Sequence, residues 1–329
     1  MPPQNPGRLA QTPDAEVVID VALVRRLLQA QHPDLAHLPI TPLDAGWDNV
    51  MFRLGNFRVD TCFESDAVAG MPQAISCVDC LVVRLPRRQI AAALIDHEQI
   101  WLPRLAAQLP IAVPVPYRVG APACGYPWRW SVLPWLSGCP ADLEPPHPDQ
   151  ANRFGEILRA LHTPAPANAP RNSFRGVPLK DRAAAIAERL ARLETKTDLI
   201  TPTLKTLWQS ALIAPIDTPA TWLHGDLHPR NILVEDGLLT GIIDWGDITS
   251  GDRATDLAAV WMLFEDGIAR REAIAAYGSI SEATLRRAQG WAIFFGVVLL
   301  DTGLVDHPRH AAIGEQTLRR IAAVGDSGI

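Results

Sequence analysis

One segment constrains this chain more than any other: WLHGDLHPRNILVEDGLLTGIIDWGDITSGDRATDLA, residues 222–258. It is a short β-rich island among helical stretches, and its polar residues keep fixed separations. The pattern His224-x-Asp226-x-x-Pro229-x-Asn231 comes first, and Asp244 follows thirteen residues after Asn231, inside Ile-Ile-Asp-Trp-Gly. Residues 238–243 read as a strand that ends at Asp244 and is followed by a turn. A carboxylate so placed sits at the mouth of a cleft.

The rest of the chain divides around position 136. A polar, proline-rich stretch of about a dozen residues leads into DAEVVIDVALVRRLLQAQ, where Val17, Val21, Val24 and Leu28 recur at helical spacing and Asp14 is placed to cap. Strand-like stretches follow in ITPLDAGWDNVMFRLGN and CLVVRLPRR, with a turn at 46–49 and an irregular excursion over 56–80. Residues 89–109 read as a helix that Pro103 should bend or end. PIAVPVPYRVG and PWRWSVLPWL read as two further strands, the first confined in part to an edge by its prolines. Prolines at 140, 145, 146 and 148 mark a linker. Beyond it, helices are expected over 151–162, 180–195, 202–213, 253–266, 282–301 and 309–323. The expected organisation is a mostly β lobe over 1–135 and a mostly α lobe over 136–329, a two-lobed α+β architecture.

Composition narrows the function classes. Thirty basic against 36 acidic residues give a net charge of −6, which argues against nucleic acid or anionic lipid as a partner. The longest apolar run, 291–300, is too short to span a bilayer, and the N-terminus lacks the apolar core of a secretory signal. Five cysteines, with one isolated C-x-x-C at Cys77 and Cys80, do not make a disulfide framework, so a cytoplasmic setting is expected. Residues 221–270 hold nine acids and three arginines, a net of −6, which leaves the remainder neutral. The acidity is therefore concentrated around the island.

Asp226 and Asn231 have the D-x-x-x-x-N spacing of a kinase catalytic loop. Phosphoryl transfer needs a carboxylate that orients an acceptor hydroxyl and takes its proton. It also needs an amide oxygen and a second carboxylate to hold magnesium on the nucleotide phosphates. The alternative, a zinc cluster at His224, Asp226 and His228, would want a further ligand, and His162, His307 and His310 form no recognisable second cluster.

The island resembles the aminoglycoside phosphotransferase family, a branch of the protein-kinase-like fold whose members phosphorylate small molecules. The likeness extends to EQIWLPRLAAQLPIAVPVPYRVG, WRWSVLPWLSG and the Leu161-His162 helix end, and so covers roughly residues 40–305. It implies Asp226 as catalytic base, Asn231 and Asp244 as Mg2+ ligands, His224 as support of the loop backbone, and Asp256 as the carboxylate bracing that loop. It also implies ATP, or GTP in its place, as phosphate donor and a small hydroxylated acceptor, an aminoglycoside antibiotic first. Macrolides and choline-like or homoserine-like alcohols are the alternatives, as is a non-catalytic kinase-like binding module. The likeness leaves oligomeric state open.

On the nucleotide side, Arg84 in Leu-Val-Val-Arg-Leu stands where protein kinases carry a strand lysine. No lysine precedes Lys180, so this lobe has no other candidate of that type. Glu98, fourteen residues on, is the expected partner, with Asp96 as the ordinary alternative. Guanidinium is a planar fork and not a point charge, so it should meet phosphate differently. Gly46 and Asn49 bound the turn where a phosphate loop would lie. The Pro134 carbonyl and Leu136 N–H are placed to meet a purine. On the acceptor side, Glu265, Asp266 and Asp301 are the carboxylates expected to receive a cationic acceptor. Trp261, Phe264, Trp291, Phe294 and Phe295 read as core aromatics before they read as a sugar platform.

Overall fold

The computed structural model describes residues 15–45, 48–56 and 80–324. Gly46, and the excursion at 57–79 with Cys77, lie outside them. The first helix, α1 (Val21–Gln31), starts later than the sequence pattern suggests. The β-branched run Val17-Val-Ile stays extended, and Asp20, not Asp14, caps the helix by accepting from the Leu23 N–H at 2.7 Å. Leu23, Val24, Leu27 and Leu28 form its buried stripe.

Strands β1 (Ile40–Ala45), β2 (Asn49–Leu54) and β3 (Leu81–Pro86) are followed by helix α2 (Gln89–Ala106), then β4 (Arg118–Gly120) and β5 (Trp130–Pro134). They form one antiparallel sheet in the order β1-β2-β3-β5-β4. β3 is central and buried along its whole length. This is why Val-Val-Arg-Leu reads as a continuous apolar run, and why Arg84 carries its charge into the interior. Most of PIAVPVPYRVG is not strand: Pro110, Pro114 and Pro116 cannot donate to a ladder, so pairing is confined to 118–120 and one bridge from Ala112 to Gly241. Pro103 lies inside α2, which ends at Ala106 within the next turn.

Past β5 the chain crosses directly to a second sheet, because β6 (Cys139–Pro140) pairs with β8 (Ile232–Glu235), which pairs with β9 (Leu238–Ile242). β7 (Thr221–Leu223) pairs with β10 (Thr249–Gly251). Around these strands lie α3 (Ala151–Leu161), α4 (Ala183–Lys196), α5 (Pro202–Ile213), α6 (Ala254–Leu257), α7 (Ala259–Leu263), α8 (Gly267–Tyr277), α9 (Glu282–Asp306) and α10 (Pro308–Val324). From 288 to 300, α9 carries a single polar side chain, Gln289, because its neighbours α4, α5, α6, α7 and α10 pack around it.

The expected helix 253–266 is two short helices, and α8 was not anticipated. Its signals are terminal: Asp266 accepts from the Ile268 N–H at 2.9 Å, and Gly278 follows the last turn at φ 108°. The packing resolves into two apolar clusters. One joins α1 to the five-stranded sheet, and the other fills the helical half and takes in Trp101, Leu102 and Leu105 from the end of α2. α2 therefore bridges both bodies.

Candidate active site

The loop at 224–231 is held by buried polar groups rather than by a regular ladder. Asp256, in α6, is fully buried and accepts from the N–H groups of His224 (2.7 Å) and Gly225 (2.9 Å). His224 Nε2 lies 2.9 Å from the Ile243 carbonyl, and its Nδ1 accepts from the Asp226 N–H at 3.3 Å. Both bonds are satisfied when the ring proton is on Nε2. Trp245 closes the ring's far side at 4.7 Å between centroids. Gly225 adopts φ 89°, and a Cβ there would stand 2.6 Å from the Asp247 carbonyl. That explains the glycine between His224 and Asp226.

The island closes on itself through Asn231. Its Nδ2 donates to the Asp226 carbonyl at 2.9 Å, while its own carbonyl accepts from the Ile243 N–H at 2.9 Å. Asp226, Asn231 and the residue preceding Asp244 are thus tied together by hydrogen bonds. Asp244 is left-handed (φ 61°, ψ 61°), and this turns its 57% exposed carboxylate out of the strand. Asn231 Oδ1 has no hydrogen-bond partner among the described residues. An amide oxygen and an open carboxylate are hard oxygen donors of the kind magnesium takes.

Arg84 connects this loop to the sheet. Its Nη1 donates to Glu98 Oε2 at 2.6 Å and its Nη2 to Asp244 Oδ1 at 2.8 Å. With its amide oxygen turned to the guanidinium, Asn49 accepts from Arg84 Nε at 3.1 Å and Nη2 at 2.9 Å. The partner is Glu98 and not Asp96, which pairs with Arg129 instead. Burial works against the Arg84 charge, but Glu98 and Asp244 outweigh it and hold the guanidinium protonated. Burial pushes the Glu98 carboxyl up, and Arg84 opposes it. Pro134 ends β5, and Leu136 follows in the crossing segment with its side chain over Gly241.

Asp226 has a partner that sequence reasoning missed. Arg175 Nη2 lies 2.8 Å from Asp226 Oδ1, and His228 Nε2 lies 3.5 Å from Oδ2. Burial would raise the Asp226 pKa, but Arg175, then His228 and His224, hold it well below the usual carboxylate range. Arg175 arrives on the irregular segment 170–178, which is strapped to the island. The Asn172 N–H donates to Thr249 Oγ1 at 2.8 Å, Asn172 Nδ2 donates to Asp247 at 2.6 Å, and the Asp252 N–H donates to the Gly176 carbonyl at 2.9 Å. Gly176 (φ 69°) and Gly251 cross so closely that a Cβ on Gly251 would stand 2.2 Å from the Gly176 carbonyl. Arg-Gly at 175–176 was the one local signal of this crossing.

The three expected acceptor carboxylates are engaged elsewhere or open to solvent. Glu265 is exposed, and its carbonyl accepts from Arg270 at 2.7 Å. Asp266 caps α8. Asp301 is bound by Arg189 and Arg192, each at 2.8 Å. Trp261, Phe264, Trp291, Phe294 and Phe295 are all buried.

Residues 39–291 match the model of the phosphotransferase enzyme family, three quarters of the chain. The chain belongs to that family. Over 201 residues it is 28% identical to the uncharacterized protein YcbJ of Bacillus subtilis (strain 168), a match covering 56% of this chain and 63% of that protein. This phosphotransferase-family chain also shares its fold with the GDP complex of wild-type aminoglycoside 2'-phosphotransferase-IIIa (TM-score 0.62, 20% identity, 93% of this chain and 99% of that one). A third likeness is to macrolide 2'-phosphotransferase MphH from Brachybacterium faecium, solved as the apoenzyme (TM-score 0.56, 20% identity, 91% and 97%). The two-lobed, kinase-like α+β architecture expected from the island is therefore the fold of this chain.

Proposed function

We propose that this chain is a small-molecule kinase that moves the γ-phosphate of Mg-ATP, or of GTP, to a hydroxyl. The observation that carries the reading is the closed polar assembly Asp226–Asn231–Asp244, joined through Arg84 to Glu98. The solved relatives named above are aminoglycoside and macrolide phosphotransferases, one of them bound to GDP. Those antibiotics are the first acceptors to assay, aminoglycosides ahead of macrolides, in a cytoplasmic setting where nucleotide is available.

In this reading the acceptor hydroxyl oxygen forms a bond to the γ-phosphorus as the bond to the β,γ-bridging oxygen breaks, releasing the nucleoside diphosphate. The hydroxyl proton passes to Asp226. Arg175 and His228 keep that carboxylate ionised and fix its orientation. Asn231 and Asp244 would hold magnesium, which supplies charge neutralisation on the phosphates when bound. Arg84, set by Glu98, is placed to steady the same phosphates. The Pro134 carbonyl and Leu136 N–H are placed to meet the base, with residues 1–135 serving the nucleotide and 136–329 the acceptor. His224 and Asp256 hold the loop, so positioning and charge do most of the work.

Asp226→Asn keeps the shape of the loop and removes the proton acceptor. Phosphate transfer, read as diphosphate release in a coupled assay, should fall by roughly 10²–10⁴-fold with nucleotide binding and melting nearly unchanged. Near-wild-type turnover in that variant would show that Asp226 is not the base.

A further inference from the structure

Arg175 and Arg182 are neighbouring cations, and only Arg175 bonds the proposed base. Arg175 bonds Asp226, and Asp247 adds a second carboxylate on that side, already bonded by Asn172. Arg182 has no ion pair or hydrogen bond among the described residues. Its guanidinium carbon lies 5.0 Å from the Phe174 ring and 5.3 Å from Phe294, while that of Arg175 lies 5.1 Å from Phe295. The Nε atoms of both arginines are buried without a partner. Burial lowers the Arg182 pKa, and the neighbouring Arg175 charge lowers it further. Cations held this way are normally paired, because desolvation without a counter-charge is costly.

The segment that carries both arginines has the same sign. Residues 171–192 hold six basic and two acidic side chains. Asp301 pairs with two of these, Arg189 and Arg192, and Asp266 caps a helix. Phe174 is 57% exposed beside Arg182, so the guanidinium has an open aromatic neighbour at the surface. A hydroxyl that meets Asp226 comes beside Arg175, which bonds the same carboxylate. An acceptor with several ammonium groups meets repulsion there, whereas one negative charge matches the one unneutralised guanidinium.

We propose that the acceptor carries a carboxylate, received by Arg182 with Arg175 while its hydroxyl meets Asp226. This rests on the kinase reading above and assigns its substrate class: a hydroxylated organic acid rather than a polyamine sugar. Phe174 and Phe294 lie against the Arg182 guanidinium, whose planar fork suits two-point recognition of a carboxylate.

The test uses one carbon skeleton in three charge states: gluconate, glucitol and 1-amino-1-deoxyglucitol. Each is supplied with Mg-ATP at constant ionic strength, with kanamycin as the polycation. ADP release gives kcat/KM where transfer occurs. Where it does not, the concentration that half-suppresses acceptor-independent ADP release gives affinity. Gluconate should exceed the amine by at least about tenfold, as expected for one charge-assisted pair. Arg182→Gln should shrink that gap to about twofold through KM and not kcat, and Arg182→Lys should keep part of it, since an ammonium supplies the charge without the planar fork. Melting curves of both variants check folding. A preference for the amine or kanamycin, no ranking among the three, or a gap unchanged in Arg182→Gln overturns the proposal. Absence of any magnesium- and Asp226-dependent ADP release would instead overturn the kinase reading.

Discussion

The two faces of Asp226 and Asp244 are built by opposite means. Toward the sheet, Asp244 meets Arg84, whose charge is shared between two carboxylates and an amide, so a buried cation is fully paired. Toward the helical half, Asp226 meets Arg175, beside which Arg182 forms no ion pair among the described residues. A cluster with one carboxylate more than its cations suits a ligand that brings its own cation, as a magnesium nucleotide does. A guanidinium with no ion pair among the described residues suits a ligand that brings an anion. The difference teaches how, in the proposed reading, one acidic island would serve two partners of different charge through the arginines set against it.

The comparison breaks most completely at Asp244. Asp244→Ala should abolish magnesium-dependent nucleotide binding by calorimetry and release Arg84 from its contact across the two bodies. Unchanged Mg-ATP affinity would remove Asp244 from the metal site. Glu98→Gln should act less severely, weakening nucleotide affinity by about 10- to 100-fold, as groups that orient a ligand usually do. Its effect should fall on KM for nucleotide and spare KM for acceptor.

On the opposite face, Arg175→Gln removes a positive charge from Asp226. A carboxylate loses its depressed pKa when such a neighbour goes, so the acid limb of kcat/KM should move up by about one pH unit or more. An unmoved limb would mean that Arg175 does not set the protonation of the base. The smallest effect is expected at His310, stacked on His307 and in contact with Arg230. Burial, then Arg230, lower its pKa from 6.5 to about 4. The unfolded chain therefore binds more protons across that window, and this stability is present above pH 6.5 and lost as pH falls toward 4. His310→Gln should flatten the dependence of stability on pH there, read by denaturant unfolding.

What was legible follows sequence distance. Asp226 and Asn231 are five residues apart on one loop, so their spacing reports their geometry. Arg84 and Glu98 lie in consecutive elements, and the apolar strand around Arg84 marks its burial. Asp256, 30 residues past Asp226, came through family likeness, since nothing in its own neighbourhood separates a loop brace from a helix cap. Arg175 escaped because segment 170–178 has neither periodicity nor motif, and its contact with Asp226 spans 51 residues. Helix α8 escaped because its face pattern is weak and its caps are its main signal. That Asp301 faces two arginines was not legible either, because residue type does not reveal which charges packing brings together.

The sequence by itself determined the phosphotransfer island, the β-then-α order of the chain and the arginine that replaces a strand lysine. These are local or periodic features, and short-range backbone chemistry is enough to produce them. Tertiary structure alone decided which groups meet: Arg84 with Asp244 across 160 residues, Arg175 with Asp226, and Arg182 with the rings of Phe174 and Phe294. Pairing of that kind depends on where packed elements bring side chains, and desolvation makes each such meeting matter. The net charge of −6 therefore describes the chain, while the two arginine clusters describe its site.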